Sequence, residues 1–93
     1  MENKEAFIRR SDAHILLAND QLSENDSVTP AEVSASFLFA ASRFNAWIAA
    51  REFESAEALI DEKEKVIEYF MKEYKQMLDQ HLEEHIKSFQ FQA

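Results

Sequence analysis

Two histidines one helical turn apart carry the sharpest chemical pattern in the chain. His81-Leu82-Glu83-Glu84-His85 fits H-x-x-E-H, an inverted zinc-peptidase motif in which two imidazoles bind the metal beside a glutamate base. Spacing of i and i+4 puts both rings on one face of a helix, as metal binding requires. A zinc site needs at least a third protein ligand, which here would have to come from a distant segment. The competing reading is two packed, hydrogen-bonded histidines at the end of a helical bundle or in an interface, with no metal and no other cofactor. On the first reading the chain is a metal-dependent hydrolase using His81, Glu84 and His85. On the second it is not an enzyme. His14 sits at the margin of its helix and reads as a boundary residue.

Arg43 is the second candidate, because it is the only charged residue between Val33 and Ala50. A charge in so apolar a segment must be paired if it is buried. Asp12 is the natural partner, with Asn19 and Asn45 as supporting amides. As a clamp the group fixes helix register; as a site, Arg43, Asn45, Asn19 and Asp12, with Trp47 alongside, would bind an anion or a small polar ligand.

Other chemistries are excluded by residue type. The chain has no cysteine, which removes thiol catalysis, thiolate metal sites and disulfides. It has no glycine, which removes a phosphate-cradling loop. The serines lack a histidine base at matched spacing. Asp61-Glu62 and Glu83-Glu84 are adjacent along the chain, so their carboxylates do not face each other across a site. Paired-carboxylate di-metal bundles need Glu-x-x-His on two helices, and this chain lacks that order.

These residues must be positioned by helices, because a chain without glycine and with the single proline Pro30 has little turn punctuation. The break at Ser23–Thr29 leads into Thr29-Pro30-Ala31-Glu32. There Thr29 can cap, Pro30 suits the first helical position and Glu32 can reach back. The spacing predicts an all-α, three-helix bundle forming a single domain over 1–93, with helices over about 3–23, 30–52 and 55–89. Ile8, Ser11, Ile15, Ala18 and Leu22 form the core face of the first helix; Leu16 and Leu17 point away. Val33, Phe37, Ala40, Phe44, Trp47 and Ile48 form that of the second, with Leu38 and Phe39 off it. The third has a central stripe of Ile60, Ile67, Met71, Tyr74, Leu78, Leu82, His85 and Phe89, flanked by Leu59, Val66, Phe70 and Met77.

At 1.5 Å per residue the third helix reaches roughly 50 Å and the others only about 30–33 Å. In an antiparallel bundle its end therefore overhangs, carrying Leu82, Ile86, Phe89 and Phe91. Exposed apolar surface of that kind marks an interface, and a second copy is the simplest cover. Leu82, Ile86, Phe89 and Phe39 are accordingly the self-association residues, and a homodimer is expected. A kink near Asp79-Gln80 is the alternative.

The net charge of −8 repels phosphate backbones and anionic lipid heads, so neither nucleic acid nor a membrane is an expected partner. The opening Met1-Glu2-Asn3-Lys4-Glu5 lacks the basic-then-apolar pattern of a secretory signal, and a cytoplasmic location is expected.

Three stretches carry a resemblance: Phe7…Asp12…Ile15-Leu16-Leu17-Ala18-Asn19-Asp20-Gln21, then Val33 to Ala46, and Ile67-Glu68-Tyr69-Phe70 through Tyr74-Lys75-Gln76-Met77-Leu78. Together they resemble a small bacterial family of uncharacterised helical proteins, one of the domain-of-unknown-function families. The likeness covers about residues 5–89, and Ala41-Ser42-Arg43-Phe44-Asn45-Ala46 is its most specific piece. It implies that Arg43, Asn45, Asn19 and Asp12 belong to the family pattern, and that His81 and His85 do not. It implies no activity or substrate. The reading that follows is a non-catalytic interaction protein that self-associates. A ligand-binding module centred on Arg43 and a metal-dependent hydrolase stand as the alternatives.

Overall fold

A computed structural model describes residues 3–92 and contains three helices: α1 over Lys4–Glu24, α2 over Pro30–Ala50 and α3 over Ala56–Ser88. The class is all-α, as the spacing predicts. The chain divides into two compact units, Met1–Ile48 and Ala49–Ala93. The first holds α1 and nearly all of α2, and the second holds α3.

Each helix starts on a side-chain cap that satisfies an otherwise orphaned amide. In α1 the Oδ1 of Asn3 accepts from the Ala6 amide at 2.8 Å. In α3 the Oγ of Ser55 accepts from the Ala58 amide at 3.1 Å. The entry to α2 is the full reciprocal box: the Glu32 amide donates to Thr29 Oγ1 at 3.2 Å, and the Thr29 amide donates to Glu32 Oε1 at 3.0 Å. The Thr29 hydroxyl also donates to the same carboxylate at 3.0 Å. Just upstream, Asn25 Oδ1 accepts from the amide and hydroxyl of Ser27 at 2.9 and 2.7 Å, which closes the turn between α1 and α2.

The box has a measurable consequence. The hydrogen bonds from the Thr29 amide, and secondarily from its hydroxyl, hold the Glu32 carboxyl below the ordinary carboxylate value. A depressed folded-state value means that this contribution is fully present above the ordinary value and fades as pH falls through the folded one. Thr29→Ala should cost about 0.5–2 kcal/mol in denaturant melts at neutral pH. Glu32→Gln should flatten the acid side of the stability profile in that range. An unchanged acid limb would show that the box does not set it.

In the first unit, reduced exposure falls around the turn and again at Ala6, Asn45 and Ile48. Val33 is buried at 6% exposure, and Ala18, Leu22 and Val28 are half-buried. Elsewhere on the predicted α2 stripe Ile48 is half-buried, but Phe44 is 59% and Trp47 56% exposed, which corrects the expectation for those two; only Val33 is buried among the described residues. Apolar periodicity identifies which faces could be covered, but at this end of α2 the half-buried residues are Asn45 and Ile48, each about 100° around the helix from its exposed neighbour Phe44 or Trp47.

The second unit shows a comparable shift. Leu59, Glu62, Val66 and Phe70 are half-buried, whereas Ile60 and Met71 of the predicted central stripe are exposed. Successive residues differ by about 100° around a helix, so these are two separate apolar lines on α3. The line predicted as a flank is the more covered one. From Met71 to Ser88 every residue is exposed. The helix runs through Asp79-Gln80 without a break and ends where the Phe89 amide donates to the His85 carbonyl at 2.8 Å.

Candidate functional site

Among the described residues no side-chain hydrogen bond joins Arg43 to Asp12, Asn19 or Asn45. Asp12 and Asn19 are exposed on α1, Arg43 is exposed on α2, and Asn45 is half-buried. Among the described residues Arg43 forms no ion pair with Asp12, which corrects the expectation of a paired, buried charge. The physical reason is exposure: a hydrated guanidinium has no desolvation cost to offset, so nothing forces it to a carboxylate. Arg43→Ala should therefore shift stability by no more than about 0.5 kcal/mol. A larger loss in a denaturant melt would restore the clamp.

What surrounds Arg43 is apolar. Phe39, Ala40, Phe44 and Trp47 line a shallow, open hollow with it on α2. The Phe44 and Trp47 rings lie 5.8 Å apart, tilted by 40°. All five residues come from one helix, and neither Asn19 nor Asn45 lines the hollow. The nearby serines serve their own helix: Ser36 donates to the Val33 carbonyl at 3.0 Å and Ser42 to that of Phe39 at 2.9 Å. Their hydroxyls are engaged as local backbone bonds.

The histidine pair lies on the exposed second half of α3. The His85 ring meets Phe89 edge to face at 5.5 Å, and Phe89 meets Phe91 at 5.2 Å. Among the described residues no group of three or more histidine, aspartate or glutamate side chains could hold a metal ion. Among the described residues the two imidazoles thus have no third ligand.

A feature not recognised from the apolar stripe alone is the spacing along this exposed face. Ile67, Met71, Tyr74, Leu78, His81 and His85 are separated by four, three, four, three and four residues. That alternation is the a/d pattern by which one helix meets another along a continuous seam. Ile67 is 40%, Tyr74 48% and Leu78 42% exposed, so these seam positions present apolar surface to water. Of the predicted self-association residues, Leu82 and Phe89 flank the seam and are 52% and 56% exposed. Ile86, 64% exposed, lies about 100° around the helix from His85. Phe39, 68% exposed, stands on α2. Among the described residues no helix is long and apolar enough to cross a membrane.

No curated protein matches the chain. The fold resembles the NMR structure of the protein NB7890A from Shewanella sp., with 39% sequence identity and a TM-score of 0.80. The likeness covers 96% of this chain and 92% of that one. A family model described as "Protein of unknown function (DUF3144)" matches residues 7–86. With most of its length matched in this way, the chain belongs to the DUF3144 family.

Proposed function

We propose that the protein is a non-catalytic interaction protein that works as a homodimer, two copies meeting along the exposed face of α3. The observation that carries this reading is the uncovered seam from Ile67 to His85, flanked by Leu82 and Phe89. An a/d alternation sustained over that length suits one partner above others, a second helix of the same repeat. Apolar side chains at its centre supply the driving force, at about 25 cal/mol per Å² removed from water. A cytoplasmic setting belongs to the same reading and accords with the acidic, cysteine-free composition. Catalysis has no comparable support, because among the described residues the histidine pair has no further ligand and the serines near Arg43 bond to their own backbone.

The deciding experiment is solution mass by light scattering across a hundredfold range of protein concentration. A mass of two chains that falls toward one on dilution is expected. A single-chain mass throughout would exclude the reading and return attention to the Arg43 hollow, whose apolar rim around one cation suits a small carboxylate ligand.

A further inference from the structure

We propose that two copies of α3, paired parallel and in register, form a binding site for one divalent transition-metal ion from four imidazoles, His81 and His85 of each copy. The inference rests on the self-association reading and adds to it a ligand, an orientation and a stoichiometry.

One chain presents half of such a site. His81 and His85 occupy consecutive seam positions and lie one turn apart on the same face of a continuous helix. Both are exposed, and His85 is already restrained by its edge-to-face contact with Phe89. Among the described residues nothing within the chain supplies a third ligand. A second copy in register supplies two at once, because residues at equivalent seam positions face each other in a parallel pair. The resulting donor set is four neutral nitrogens. Imidazoles suit zinc, copper, nickel and similar ions, whereas magnesium and calcium take oxygen ligands. Four protein ligands also close the coordination shell, which is the signature of a structural rather than a catalytic zinc site.

Charge on the flanks of the seam selects the orientation. In a parallel pair, Lys63 of one copy lies beside Glu68 of the other, an attractive pair made twice by symmetry. In an antiparallel pair centred between Tyr74 and Leu78, the histidines instead face Ile67 and Met71, and Lys75 meets Lys75 of the other copy. That arrangement separates the four imidazoles and sets like charges together. Each copy also carries a net charge of −8, so a bound dication offsets part of the repulsion between them.

The test uses untagged full-length protein stripped of metal, titrated with zinc and, separately, with cobalt(II). The expected result is one metal per two chains, a dimer more resistant to dilution when zinc is present, and the intense visible absorption of tetrahedral cobalt. H81A and H85A should each abolish tight binding and the cobalt spectrum while leaving helicity unchanged. Because the chain has no cysteine, S88C gives a clean orientation probe at the next seam position. Parallel pairing predicts efficient disulfide cross-linking on oxidation. A dimer that binds no zinc, binds one ion per chain, or fails to cross-link through S88C would overturn the site and leave the self-association reading standing. A monomer at every concentration, with or without zinc, would overturn both.

Discussion

Leu78→Glu is expected to convert the proposed dimer into a single-chain species while its far-ultraviolet helical signal stays at the wild-type level. Leu78 sits near the middle of the seam and is 42% exposed in one chain, so on the proposed pairing its side chain contributes more to the contact between copies than to the fold. Burying a leucine is worth about 1.5–3 kcal/mol, and a twofold contact counts it twice. The substitution also sets two carboxylates against each other where the partner surface is apolar. A loss of about 3–6 kcal/mol is roughly a hundredfold to ten-thousandfold weakening of the dimer. Ile86→Glu, displaced about 100° around the helix from His85, should cost less. A Leu78→Glu protein that still weighs two chains would remove the seam as the contact.

Val33→Asp should have the largest effect on the fold itself, measured as a collapse of the denaturant midpoint. Among the described residues Val33 is the buried side chain of the first unit, at 6% exposure in the first turn of α2. Replacing it forfeits about 1.5–3 kcal/mol of apolar burial and asks a carboxylate to sit where water is excluded. Against a total stability of about 5–15 kcal/mol for a typical domain, that is a large fraction. Leu16→Asp, at a position 62% exposed, is the control and should melt near wild type. If the two variants melt together, Val33 is not the anchor of the turn.

The helices and their entries were legible from the chain because their signals are local. Thr29, Pro30 and Glu32 fall within one turn, and both halves of the capping box form between Thr29 and Glu32. The chain break at Ser23–Thr29 likewise contains the Asn25–Ser27 bonds that make the turn. Which apolar line is covered was not legible, because periodicity reports every apolar face with equal weight. On α3 the line through Leu59, Val66 and Phe70 and the line through Ile60, Ile67 and Met71 are both strong, and only the neighbours decide between them. Arg43 misled for a related reason. Its isolation along the sequence suggested burial, yet the aromatic rings around it are themselves exposed on α2. The four-three spacing through His81 and His85 was present in the sequence all along. Leu82 and Phe89, placed in the central stripe, obscured it.

On the proposed pairing through α3, the scarcity of buried side chains among the described residues would tie folding to the amount of protein present. When association supplies much of the apolar burial, native dimer and unfolded chains are linked by mass action, and no single melting temperature describes the molecule. Dilution lowers the midpoint and concentration raises it, so the same chain is robust where it is abundant and fragile where it is scarce. Expression level then acts as a stability parameter, and a copy left without its mate is the form most exposed to proteolysis.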